Sequence, residues 1–199
     1  MRVLLPTETA VVLGSTQPES HLDGARVAAA GLAVARRGSG GGAVLVGPGQ
    51  VLWLDVVIPK GDPYWSDDVG RAFWWLGEVW AAALASVGVC GAEVWRRGLV
   101  RTPWSDRVCF AGRGPGEVAI TGAKVVGMAQ RRTRSGAHFQ CAVPIRWQPQ
   151  QMMDILDLND AMRAEGAQTL ANVAHGVGER TVDQLTDAFV ARLSSAVSR

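Results

Sequence analysis

Residues 35–46, "ARRGSGGGAVLV", hold Gly38, Gly40, Gly41 and Gly42 within five positions, between segments of small and β-branched residues. Glycine loses more conformational entropy on folding than any other residue. A run of it between two strand-like segments therefore predicts bare backbone lying close to something. "AVARR" reads as a strand entering the run, and "AVLVG" and "VLWLDVVIP" as strands leaving it. Such an element offers a flat wall of peptide N–H groups to a thin ligand. Arg36 and Arg37 beside it can bring guanidinium donors to a carboxylate or phosphate. The same segment is also compatible with a flexible hairpin tip carrying exposed arginines. The run fits the loose dinucleotide pattern G-x-G-x-x-A, but that site needs a helix N-terminus directly after the glycines. Strand-like sequence with a Pro48-Gly49 break follows instead, and no G-x-x-x-x-G-K-[ST] phosphate loop occurs.

Composition narrows the classes. With 199 residues, 48% hydrophobic and 19% charged, the chain is expected to form one domain over 1–199, with a core large enough to stand without disulfides. A net charge of +2 is too small to imply nucleic acid. The clusters Arg36-Arg37, Arg96-Arg97 and Arg131-Arg132-Thr133-Arg134 become informative only beside other site residues. Cys90, Cys109 and Cys141 are odd in number, with no C-x-x-C and no zinc spacing, which suits a reduced, cytoplasmic setting. Pro6 and Glu8 interrupt any secretory apolar stretch, and "VWAAALASVGVCGA" is too short to span a membrane. No membrane partner is expected.

The coarse pattern is α+β. "RVLL" and "TAVVLG" read as strands, and Asp23 caps a short Ala-rich helix to about Ala33. Val69, Phe73, Leu76, Trp80, Ala83 and Val87 share one face at helical spacing, predicting a helix that begins near Ser66. Its Trp74, Trp75 and Trp80 read as packing residues. "AEVW", "RVCFA", "GEVAI", "KVVGMAQR" and "AHFQCAV" follow as strands with hairpin-like turns "TGA" and "RTRSG", so much of the sheet should be antiparallel. Thr181 and Gln184 form a capping-box pattern ahead of a C-terminal helix lined by Val182, Leu185, Phe189, Leu193 and Val197.

Lys124 stands directly after the turn "TGA", at the start of an apolar strand. A lysine there can simply flank the strand. Gly127 and Ala129, small and on alternate positions, leave room above the sheet for a ligand that the lysine could reach. Taken together, "RRGSGGGAV" and "GAKVVGMAQRR" resemble the lipoate–protein ligase family, with its relatives the octanoyltransferases and, more distantly, the biotin–protein ligases. The resemblance covers roughly residues 9–147. It implies a central mixed, largely antiparallel sheet flanked by helices, like the catalytic domains of class II aminoacyl-tRNA synthetases and biotin–lipoate ligases. It implies attachment of a lipoyl or octanoyl group to a lysine of a lipoyl carrier domain, with lipoate or octanoate as acyl substrate. Lys124 would hold the activated carboxyl as an acyl-adenylate. The substrate-binding wall would fall on Arg36, Arg37, Ser39, Gly40, Gly41, Gly42 and Ala43, with Gly127 and Ala129 below.

Within the resemblance, "CF" at 109–110, Glu117 and Lys124 are similar to one class of octanoyltransferases, in which the cysteine carries the acyl group as a thioester without ATP. Cys109 is then a second catalytic candidate, and a small buried strand residue is its alternative reading. ATP and magnesium are implied for the ligase branch alone. The chain departs from the ligases at Val46-Gly47-Pro48-Gly49-Gln50, where they carry His-Asp before Gly-Asn, and at Gly116-Glu117, where they carry Asn-Asp. The N-terminal helix and C-terminal accessory domain of ligases are expected to be missing, with either the start truncated or the domain incomplete, so an accessory subunit is a further expected partner. Cys141 sits where relatives carry histidine before glycine; His138 is shifted from it, and no Cys–His pair is assigned. A biotin-type G-R-G-R-x-G loop is not what stands here. A relative that binds an acid without catalysis, or a basic Trp-bearing nucleic-acid module, remains the non-enzymatic alternative.

Overall fold

A computed structural model describes residues 1–197. In chain order the strands are β1 (Arg2–Leu4), β2 (Ala10–Leu13), β3 (Ala33–Arg36), β4 (Val44–Val46), β5 (Val51–Pro59), β6 (Ala92–Val94), β7 (Val118–Ile120), β8 (Ala123–Arg132) and β9 (Gly136–Pro144). The helices are α1 (Gly24–Ala29), α2 (Trp74–Ser86), α3 (Pro149–Asp154), α4 (Asp160–Val173) and α5 (Val182–Val197). Two sheets form where one is expected: a six-stranded sheet in the order β1-β5-β9-β8-β7-β6, and a three-stranded sheet in the order β3-β2-β4. The large sheet is antiparallel at every pairing. In the small sheet, β3 runs parallel to β2 and β4 antiparallel to it. The strands flanking the glycine run thus pair with β2 and not with each other.

β5 explains this layering. Its sequence "VLWLDVVIP" lacks the alternation of a half-solvated strand, and a strand covered on both faces has no need of it. Leu52, Leu54 and Val56 pack with Leu76, Val79 and Trp80 of α2 and Phe189 of α5. Val51 and Trp53 join a second cluster with Ala10, Val44, Val46 and Phe110. The helix expected from about residue 66 begins at Trp74, after a 3-10 turn at Arg71–Phe73. The Asp68 carboxylate accepts from the Gly70 and Arg71 amides (2.8 and 3.0 Å) and stops the helix from extending backwards. Val69 is consequently exposed. Trp80 is fully buried against Phe189, ring centroids 4.3 Å apart, as a packing residue should be.

Two elements differ from the sequence pattern. "RVCFA" is not a strand: Val108 makes a single parallel bridge to Ala43, and Cys109–Ala111 form a 3-10 turn. Helix α4, capped by the Asn159 side chain on the Met162 amide (2.9 Å), has no obvious apolar stripe and is not anticipated. It packs on α3 and on the turn at Cys109–Ala111, with Gly166 close against Met153 and Trp104. After it, the His175 amide donates to the Lys124 carbonyl at 2.9 Å, which pins the start of β8. Among the described residues no helix is long and apolar enough to cross a membrane.

Candidate active site

The glycine run folds around Arg37. This guanidinium, 7% exposed, donates to the carbonyls of Val12 (3.2 Å), Gly40 (2.7 Å) and Gly42 (2.9 Å). Arg36 donates to the carbonyls of Gly14 (2.8 Å) and Gln17 (2.6 Å) and lies 3.5 Å from Glu19. The arginines expected to offer donors to an anion are thus engaged on main-chain carbonyls, and both line a different groove, with Leu4, Val12 and Trp53. Ser39, buried, donates from its hydroxyl to Gln140 Oε1 at 2.6 Å, tying the ribbon to β9. Gly41 has φ +98°, in the region that favours glycine. Gly42 is required by contact: a Cβ there would lie 2.5 Å from the Val108 nitrogen. That close approach lets Ala43 N–H donate to Arg107 O (2.8 Å) and Cys109 N–H to Ala43 O (3.0 Å). Gly40 is exposed, and a Cβ there would meet nothing within 4 Å.

Lys124 is buried, 2% exposed, and an isolated buried ammonium is strongly unfavourable. Here Nζ donates to the Cys109 carbonyl (2.7 Å) and to both oxygens of Glu117 (3.2 and 3.1 Å), and it faces the Phe110 ring at 4.9 Å. Glu117 is anchored in turn: its Oε1 accepts from the Met128 amide (2.9 Å) and its Oε2 from the Gly114 amide (2.7 Å). The β7–β8 hairpin makes the pairing, with Ala119 opposite Lys124 and a register shift between Val118 and Ala119. No spacing rule announces that Glu117 will neutralise Lys124. The room above Gly127 is filled by Phe110, whose ring would lie 3.1 Å from a Cβ at that position. That space therefore belongs to Phe110, where the sequence suggests a ligand. Ala129, half-buried, pairs with Gln140, the partner of Ser39.

A cavity of about 210 Å³ opens between these elements, lined by Gly42, Cys109, Glu117 and Lys124 together with Phe73 and Met128. The lysine and the end of the glycine ribbon therefore border one crevice. Arg36, Arg37, Ser39, Gly40, Gly41, Gly127 and Ala129 do not line it; they shape or support its walls. Leu99, Val100 and Pro115 complete the apolar side. Sequence reasoning misses these three, because isolated apolar residues in a loop carry no periodic signal. Cys109 is half-buried at the cavity edge. Cys141 points into the core, where burial pushes its thiol up to about 12. His138 Nε2 lies 2.8 Å from Asp55 and takes no part in the cavity.

The model of the lipoyl protein ligase A/B catalytic domain matches residues 2–194. Among solved structures, the chain is similar to a bi-partite lipoate protein ligase from Thermoplasma acidophilum, described with its E2 lipoyl domain. The match has 18% identity and a TM-score of 0.76 over 96% of this chain and 68% of that one. A T. acidophilum protein with bound lipoic acid matches at 17% identity and TM-score 0.71, over 96% and 69%. A lipoate-protein ligase A bound with ATP matches at 20% identity and TM-score 0.69, over 96% and 70%. At such identities the likeness establishes a shared fold. No curated protein sequence matches the chain.

Proposed function

The chain belongs to the lipoyl protein ligase A/B catalytic domain family, and from that premise we propose that it transfers a lipoyl or octanoyl group onto a lysine of a lipoyl carrier domain. One observation carries the reading: Lys124, Cys109 and the backbone of Gly42 border a single cavity with an apolar wall. A slender acyl chain suits that wall, since each buried methylene contributes about 0.8 kcal/mol.

Two routes of activation make different electrostatic demands. An adenylate route, in which magnesium-ATP activates the acid, requires cations free to meet phosphate and carboxylates free to meet metal. Arg101, Arg113 and Asp106 at the cavity mouth would meet that group, whereas the candidate residues named from the sequence are already engaged. Lys124 is neutralised by Glu117, Arg37 is held by three carbonyls, and Glu117 already accepts two amides besides the ammonium. A thioester route requires only a nucleophile and a donor for developing oxyanion charge. This favours Cys109. Its thiolate attacks the carbonyl of an acyl thioester, and the donor's thiolate leaves and takes a proton. The carrier lysine amine then attacks the Cys109 thioester, releasing the cysteine thiolate and a proton as the amide forms. For Lys124 to donate to the reacting oxygen, one of its bonds to the Cys109 main-chain carbonyl or to Glu117 must be exchanged for it.

The test is mass measurement of the protein and of a lipoyl carrier domain after incubation with octanoyl thioester donor, or with lipoate, each with and without ATP. Acyl mass on the protein that disappears in Cys109→Ala, with ATP-independent transfer to the carrier, supports the thioester route. Strictly ATP-dependent transfer that survives Cys109→Ala restores the adenylate route. No transfer under any condition leaves an acid-binding relative without catalysis.

A further inference from the structure

The rim of the cavity carries a feature that the acyl reaction does not use. Residues 95–101, "WRRGLVR", leave β6 and run along the cavity mouth. Trp95 N–H donates to Glu117 O (2.8 Å) and Trp95 O accepts from Gly116 N–H (2.6 Å), while Val100 and Arg113 exchange two backbone hydrogen bonds of 2.8 and 2.9 Å. The segment is thus tied at both ends to residues 113–117, the loop before β7 that carries Glu117, the partner of Lys124. Between those ties it projects an exposed apolar pair, Leu99 (58% exposed) and Val100 (39%), which also line the cavity.

Around this pair the arginines are stacked on indoles. Arg71 and Arg96 lie over Trp74, at 5.7 and 5.1 Å from the ring centroid. Arg97 and Arg113 lie over Trp95, at 5.3 and 4.0 Å. Stacking holds a guanidinium in place without using its edge donors; Arg113 spends one of its own on the Gly122 carbonyl. Among the described residues no carboxylate pairs with Arg97 or Arg113. Carboxylates are nonetheless interleaved: Asp68 with Arg71, Glu78 with Arg96, and Asp106 with Arg101. An apolar pair set among arginines and interleaved carboxylates suits the mixed surface of a folded protein better than a uniformly anionic polyphosphate backbone.

We propose that this rim, centred on Leu99 and Val100 and bordered by Arg71, Arg96 and Arg97, docks the acidic face of the domain that presents the acceptor lysine. The inference rests on the proposed function for the partner's identity. Its physical basis is charge complementarity, which steers association and fixes register, together with the place of the rim at the mouth from which the acyl group must leave.

The test is direct binding of an unacylated lipoyl carrier domain, without acyl donor, to the wild-type chain, Arg97→Glu, Arg97→Lys and Arg96→Glu/Arg97→Glu. The expected result is saturable wild-type binding that weakens with salt, about tenfold weaker binding on double charge reversal, and little loss in Arg97→Lys. Circular dichroism confirms that the variants fold. Equal affinity for wild type and double variant overturns the proposal, and so does absence of wild-type binding. Tighter, salt-steep binding to polyuridylate than to the carrier domain also overturns it, marking a nucleic-acid surface instead. Acyl loading measured without the carrier reports separately on the proposed function, so a failed docking surface is distinguishable from a failed reaction.

Discussion

A buried lysine is informative only with its counter-charge. The Lys124 ammonium and the Glu117 carboxylate are 2% and 7% exposed, so removing either leaves the other uncompensated. Lys124→Met should cost about 3–5 kcal/mol by urea unfolding, and Lys124→Met/Glu117→Gln should recover most of it. Acyl transfer should stay lost in both. Recovery of transfer in the double variant would show that the ammonium acts on the fold and not on the carbonyl. Neighbouring glycines separate the same two roles. Gly42→Ala drives a Cβ into the Val108 backbone and should destabilise by about 1–3 kcal/mol, whereas Gly40→Ala meets open space and should stay within about 0.5 kcal/mol. If acyl substrate lies along the exposed side of the ribbon, Gly40→Ala should raise KM while Tm stays unchanged. Cys141 gives a pH signature. Its folded pKa is raised above the ordinary 9.0 to about 12 by burial, so the folded state holds a proton that the unfolded state releases. Its contribution is complete below pH 9 and is lost as pH rises toward 12; the fall in stability over that window should be shallower in Cys141→Ala.

Elements were legible where the chain repeats a period or a cap. The box at Thr181 and Gln184 is formed as its spacing predicts: the Gln184 amide donates to Thr181 Oγ1 (3.1 Å) and the Thr181 amide to Gln184 Oε1 (3.0 Å). Thr181→Ala should cost about 1 kcal/mol in urea unfolding, because α5 then starts with an orphan donor. Phe189→Ala, one face further along, should cost about 3–5 kcal/mol, since it removes the ring stacked on Trp80. A cap mutation as damaging as the core mutation would mean that α5 is held by its end and not by its face. The hairpins β7–β8 and β8–β9 were readable from short turns between apolar runs. The segment at 107–111 was not. Its β-branched and aromatic content suggests a strand, yet Trp104 and Ser105 turn the chain just before it, and the Arg107 and Val108 amides both donate back to Trp104 O. Tertiary packing under α4 overrides a propensity of only a few residues. Helix α4 itself escaped because its buried positions include Arg163, Gly166 and Ala167, which no hydrophobicity pattern marks.

At the scale of the whole molecule, the candidate site exists because two sheets meet along one seam. Gly42 and Lys124 lie far apart in sequence, and the link between them is the pair of backbone bonds joining Ala43 to Arg107 and Cys109. The resemblance to a family anticipated that they face one crevice; no local pattern could, because the bridging residues read as a different element. The seam also makes a dynamic demand. Ser39 holds the ribbon to β9, Ala43 holds it to Cys109, and the Cys109 carbonyl holds Lys124, so loosening one tie should loosen the next. Amides at 38–43 and 107–117 should then exchange with solvent as one cooperative unit. An octanoyl ligand in the cavity should slow both segments by a common factor, and Gly42→Ala should remove that common response while β5 and β9 stay protected. Protection at 107–117 with unchanged exchange at 38–43 would mean that the acyl chain touches the Lys124 side alone, and that the glycine ribbon is a structural strap with no part in holding it.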